Sequence, residues 1–147
     1  MDRKEKAAQY FLGGYNCAQS VAMAFADKLG MEEKQAAKIA SGFGGGFGRL
    51  REVCGAVSGM VMVASYLYGY DSPDQEQQKA CYETIQALAG AFQEQVGSII
   101  CRDILKNPPT DPTPSARTAE YYAQRPCARM VMVAAEVLDN YIKDNPV

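Results

Sequence analysis

Four of the five cysteines in this 147-residue chain stand where a helix is expected to begin. Cys17 follows Asn16, a good N-cap residue. Cys54 lies in the first turn after a glycine-rich stretch, and Cys101 lies three residues beyond the capping residue Ser98. Cys127 follows Pro126, a residue suited to a first helical turn. At such positions the free backbone N–H groups and the helix macrodipole favour negative charge. Each thiol is therefore expected to ionise more readily than usual. The thiolate is the form that attacks disulfides, reacts with oxidants and binds soft metals. Cys81 is the contrast: it falls mid-helix on an apolar stripe and reads as a small core hydrophobe.

The spacing of these cysteines is not that of a compact motif. No Cys-x-x-Cys occurs, so neither a zinc knuckle nor a thioredoxin-type motif is present. A shared site requires the fold to bring the four helix starts together. The chain has no histidine, which removes Ser-His-Asp and Cys-His nucleophiles and imidazole metal ligands. Thiol activation is left to helix termini, Lys, Arg or a metal.

Residues 41–49, Ser-Gly-Phe-Gly-Gly-Gly-Phe-Gly-Arg, lead towards Cys54. They lack the Gly-Lys-Ser/Thr of a Walker A loop, and no strand precedes them as a dinucleotide fingerprint requires. The glycines permit a tight bend and close packing. A second reading makes Gly44, Gly45 and Gly46, with Gly55, a cofactor-binding nest of N–H groups facing an anion, a cluster sulfide or a thiolate. Arg49 and Arg51 read first as surface residues and second as positive charge beside Cys54. Gly55 and Gly59 form a small-x-x-x-small step that predicts close helix approach and room beside Cys54.

Helical periodicity fills nearly every segment, and strand signals are almost absent. A first helix is predicted over 3–12, with Ala7, Ala8 and Phe11 inward. A second starts at Asn16, carries the stripe Ala18, Val21, Ala22, Phe25 and Leu29, and stops at Gly30. Residues 32–41 form a third, with Ala36, Ile39 and Ala40 inward. Residues 53–69 are apolar nearly all round and read as the buried central helix. A long helix over 74–96 carries Cys81, Ile85, Leu88, Phe92 and Val96 on one side. Short helices are predicted at 99–105 and 118–124, separated by a proline-rich surface loop over 107–115. The last helix, 126–143, buries Met130, Val131, Ala134, Val137, Leu138 and Tyr141. The expectation is an all-α, compact bundle of about five main helices plus short ones. It is read as one domain over residues 1–147.

With 48 % hydrophobic residues the chain can bury a sizeable core. A net charge of −2 and the lack of a basic stripe argue against nucleic acid as a partner. The most apolar run, 53–68, is interrupted by Gly55, Ser58, Gly59 and Ser65 and falls short of the ~20 residues of a membrane span. No apolar signal segment opens the chain, so the expected location is cytoplasmic, where thiols stay reduced. The odd cysteine count also argues against a structural disulfide framework.

Taken together, Gly14-Tyr15-Asn16-Cys17-Ala18-Gln19, the glycine stretch 42–49, Cys54-Gly55-Ala56-Val57-Ser58-Gly59, Gly97-Ser98-Ile99-Ile100-Cys101-Arg102-Asp103 and Cys127 resemble a known family. It is the redox-active protein family with the cysteine signature C_GCAxxG_C_C. The resemblance runs from about residue 5 to residue 142 and aligns Cys17, Cys54, Cys101 and Cys127 with the four signature cysteines. Cys81 falls outside it. The resemblance implies a small bacterial or archaeal redox-active protein, often encoded near transporters, with no assigned substrate. Related domains accompany haem in some multihaem cytochromes, but this chain has no Cys-x-x-Cys-His to attach one.

Three functions follow. In the first, Cys17, Cys54, Cys101 and Cys127 ligate an iron–sulfur cluster for electron transfer with a redox partner, or zinc as a structural variant. In the second there is no cofactor, and the same cysteines are redox thiols, with Cys54 attacking and Cys17, Cys101 or Cys127 resolving. In the third the chain is a non-catalytic helical binding module, acting as a homodimer.

Overall fold

The computed structural model describes the backbone of residues 1–147 and every side chain except those at 123 and 124. The helices are α1 (Arg3–Leu12), α2 (Cys17–Ala24), α3 (Ala26–Leu29), α4 (Glu33–Ala40), α5 (Gly55–Tyr68), α6 (Gln75–Val96), α7 (Cys101–Leu105), α8 (Ala119–Gln124) and α9 (Cys127–Asp144). The all-α expectation holds, and a single antiparallel bridge, Val53 to Ile100, is the one β-like pairing among the described residues.

Local chemistry accounts for most boundaries. Asp2 caps α1 by accepting from the Glu5 N–H. Asn16 and Gln19 form a reciprocal capping box at the start of α2. Asp74 accepts from the N–H groups of Glu76 and Gln77 to open α6. Gly30, at φ 64°, ends α3 in the left-handed conformation that glycine tolerates best. The predicted second helix is interrupted at Phe25, which closes α2 and opens α3.

The core is built around α2. Ala18 and Ser20–Ala24 are buried along it, and it touches α1, α4, α5 and α9. Helix α5 lies against it, buried at Gly55, Ala56, Val57, Gly59, Met60, Val63 and Ala64. Gly59 permits that approach: a methyl group there would sit 2.7 Å from the Ala18 carbonyl oxygen. The small-x-x-x-small step is thus a helix–helix contact, as its spacing predicts. Helices α1, α6 and α9 complete the packing with Phe11, Leu88, Phe92, Val131 and Leu138. On α4 the buried face is Ala36, Ala37 and Ala40, and Ile39 is 56 % exposed, not inward. The alanines let α4 lie close to α2, and that approach turns Ile39 to the outside. No helix among the described residues is long and apolar enough to cross a membrane.

Candidate thiol site

The fold brings the four helix starts together. Cys17, Cys54, Cys101 and Cys127 all line one cavity of about 380 Å³. Cys54 is the N-cap of α5, and the other three are the first residues of α2, α7 and α9. Cys54, Cys101 and Cys127 are buried, Cys17 is half-buried, and all are free thiols. Cys81, also free, is buried on α6 and does not reach the cavity.

Backbone pairing places Cys54 beside Cys101. The Cys54 N–H donates to the Ile99 carbonyl at 2.7 Å, and the Cys101 N–H donates to the Glu52 carbonyl at 2.6 Å. The Arg102 N–H donates to the Arg51 carbonyl at 3.1 Å. This pairing takes up residues 99 and 100, so α7 begins at Cys101, later than predicted, with Ser98 Oγ accepting from the Ile100 N–H. Packing of α2 against α9 then carries Cys17 to Cys127. Gly55 completes the wall. A methyl group there would lie 3.3 Å from Cys17 Cβ and 3.1 Å from the Phe43 carbonyl oxygen.

The glycine stretch is a left-handed turn. Gly45, Gly46, Phe47, Gly48 and Arg49 all have φ between 53° and 70°. L-residues resist this conformation by about 1–2 kcal/mol each, which is why glycine alternates through it. The N–H groups of Phe47 through Glu52 are turned back onto carbonyls of residues 42–47. These six N–H groups are committed within the turn; those of Gly44, Gly45 and Gly46 are not among them. Gly44 and Gly45 line the cavity, and Gly46 packs where a methyl group would meet Cys101 Cβ at 2.8 Å.

The four thiols do not share one acid–base character. For Cys17 and Cys127, each thiol is the largest influence on the other's ionisation. Cys17 holds its proton well above the ordinary thiol range, first because of Cys127 and then because it is shielded from water. Cys127 is drawn down to about 7, first by Cys17, then by Arg125, Arg117 and Arg51, against the opposing effect of burial. Burial pushes the Cys54 thiol up to about 12, although the N–H groups of Ala56 and Val57 point at it. Burial also raises Cys101, offset in part by the Arg51 hydrogen bond and charge. A helix start alone therefore does not activate these thiols, contrary to the simple expectation: desolvation outweighs it at Cys54 and Cys101, and the contact with Cys127, together with burial, outweighs it at Cys17.

Arginines are the functional residues that sequence reasoning underrated. Arg51 is 4 % exposed, not a surface residue. Its Nε donates to the Pro109 carbonyl at 2.9 Å, and Nη1 reaches Cys101 Sγ at 3.8 Å. Its Nη2 is buried with no hydrogen-bond partner among the described residues. An unmet buried donor costs about 1–3 kcal/mol. Arg49 donates to the Asp111 carbonyl at 2.9 Å, so both arginines tie the proline-rich loop over the cavity. Pro112, Pro114 and Ser115 of that loop line it. Arg117 spans the α1–α2 connection, donating to the carbonyls of Phe11 and Tyr15 at 3.0 Å each, with its guanidinium 4.4 Å from the Phe11 ring centre. Arg125 also lines the cavity, two residues before Cys127. That adjacency was a usable signal; nothing in the sequence marked Arg117.

Among the described residues, no three Cys, Asp or Glu side chains are grouped so as to hold one metal ion. The four sulfurs nonetheless share one cavity.

No curated protein and no solved structure matches the chain. A family model described as "Putative redox-active protein (C_GCAxxG_C_C)" matches residues 15–141, a span that contains all four cavity cysteines and the glycine turn. With most of its length matched, the chain belongs to the C_GCAxxG_C_C family of redox-active proteins.

Proposed function

We propose that the chain is a thiol–disulfide redox protein in which Cys127 attacks and Cys17 resolves. What supports this reading is that Cys17 and Cys127 line one cavity with Arg51, Arg117 and Arg125, where Cys17 and these arginines draw Cys127 down to about 7. A thiol that ionises near ambient pH combines thiolate population with nucleophilicity. Cys54 is the weaker choice of attacker, since burial holds it protonated.

The chemistry balances as follows. The Cys127 thiolate attacks one sulfur of a substrate disulfide, and the substrate S–S bond breaks as its second sulfur leaves as a thiolate. The Cys17 sulfur then attacks Cys127 in the mixed disulfide, and its proton passes to the second departing thiolate. Starting from the Cys127 thiolate, the protein loses two electrons and one proton in forming the Cys17–Cys127 bond. The substrate gains those electrons and that proton, and its first departing thiolate takes a second proton from water, giving two thiols. Arg125, Arg117 and Arg51 stabilise the attacking thiolate electrostatically. A reducing compartment such as the cytosol would return the pair to the dithiol.

Peptide mapping after oxidation with one equivalent of a small disulfide tests this reading. The expected product is a reversible Cys17–Cys127 bond, with Cys54 and Cys101 recovered as thiols. A Cys54–Cys101 bond, or no intramolecular bond, would overturn it.

A second reading uses Cys17, Cys54, Cys101 and Cys127 as ligands of an iron–sulfur cluster or of zinc. The four sulfurs lining one cavity favour it; the absence of a three-residue ligand group among the described residues weighs against it. Iron, zinc and acid-labile sulfide analysis of anaerobically purified protein separates the two. Stoichiometric iron and sulfide would select the cluster.

A further inference from the structure

We infer that the thiol cavity carries an anion subsite centred on Arg51, and that its substrate is a small disulfide bearing a carboxylate. The inference rests on the thiol–disulfide reading for the disulfide, and on separate observations for the anion.

Arg51 is a guanidinium 4 % exposed on a left-handed residue, φ 64°, so the chain forgoes backbone ease to aim it inward. Two of its three nitrogens have partners, the Pro109 carbonyl and Cys101 Sγ. Nη2 has none among the described residues, and the side chain lines the cavity. The guanidinium fork is built for planar acceptors such as carboxylates. Arg49, Arg117 and Arg125 also line the cavity, and its described lining includes no Asp or Glu. Arg49 is partly answered from outside the lining by Asp111, at 3.9 Å. Arg117 is occupied by the Phe11 and Tyr15 carbonyls. One thiolate at Cys127 leaves most of this positive charge uncompensated. An incoming anion balances it and gives the buried, unpartnered Nη2 an acceptor once the guanidinium turns towards the cavity.

The remaining walls suit a short organic chain. Phe11, Ile104, Leu105, Pro112 and Pro114 supply apolar surface, and the volume of about 380 Å³ is that of a small-molecule site. The whole chain carries −2, so its long-range field does not attract anions. Any preference for them has to arise locally.

The test uses the reduced full-length protein and three aliphatic disulfides of similar size: dianionic 3,3′-dithiodipropionate, neutral bis(2-hydroxyethyl) disulfide and dicationic cystamine. The rate of thiol loss at pH 7 and low salt is expected to fall in that order, by roughly tenfold at each step, as local charge steering allows. Arg51→Gln should collapse the ordering. Arg125→Gln, at a half-buried position, should compress it and decides the matter if the buried substitution fails to fold. A redox-inert probe, propionate, should slow alkylation of Cys127 by neutral iodoacetamide in wild type and not in Arg51→Gln. A dianion no faster than the neutral disulfide, or an ordering unchanged in both variants, would overturn the subsite. Propionate protection without a Cys17–Cys127 bond would keep the subsite and remove the redox reading. The bond without charge preference would do the reverse.

Discussion

Cys54 opens α5 and Cys127 opens α9, and each sulfur lines the same cavity at the positive end of its helix. On the α5–α7 wall, Cys54 receives two backbone N–H groups, yet burial drives it up to about 12. On the α2–α9 wall, Cys127 is buried as well, yet falls to about 7. The difference is the partner opposite it. Cys17 draws it down first, and three arginines supply charge, where Cys54 has only backbone dipoles. Helix termini favour the thiolate, but a side-chain partner decides which sulfur ionises most readily.

The sharpest way to break this comparison is to remove one sulfur at a time. Cys127→Ser should abolish disulfide formation and substrate reduction outright, while Cys54→Ser retains both; a thiol assay with a model disulfide reads the result. Equal loss in the two variants would erase the distinction between the walls.

Removing Cys17 is the next largest change. In Cys17→Ala, Cys127 loses its principal stabilising partner, so its ionisation should move up towards the ordinary thiol range. The alkylation rate of Cys127 at pH 7 should fall roughly tenfold, and the rates should converge at high pH, where the thiol ionises regardless.

A third substitution strains the contact that joins the walls. Gly59→Ala places a methyl group 2.7 Å from the Ala18 carbonyl, between α5 and α2. It should destabilise the protein by about 1–3 kcal/mol in urea unfolding. The smallest effect belongs to Cys81, buried on α6 outside the cavity. Cys81→Ala should leave the reactivity profile unchanged and lower stability by only about 1 kcal/mol.

The starts of α2 and α9 were legible because Asn16 is a good N-cap and Pro126 suits a first helical turn. The convergence of the cysteines was not. It depends on the backbone pairing of 51–54 with 99–102, which has no side-chain pattern to betray it. Arg51 escaped for a related reason. Its inward aim comes from a left-handed backbone in the turn that follows the glycines, and composition there suggests a surface loop. Ile39 misled because the alanine-lined approach of α4 to α2 chose a different face from the bulkiest residue. Thiol ionisation could not be read locally at all, since burial and the Cys17 contact arise only after packing.

The central claim, that Cys127 is the activated thiol because Cys17 stabilises its thiolate, is tested most directly by peptide-resolved alkylation of the reduced protein across pH 5–10. Cys127 should react with a midpoint near 7, slowing about tenfold per pH unit below it, while Cys17 and Cys54 stay unmodified until well above the ordinary thiol range and Cys101 reacts later than an ordinary thiol. Cys54 reacting first, or all four cysteines titrating together, would contradict the account.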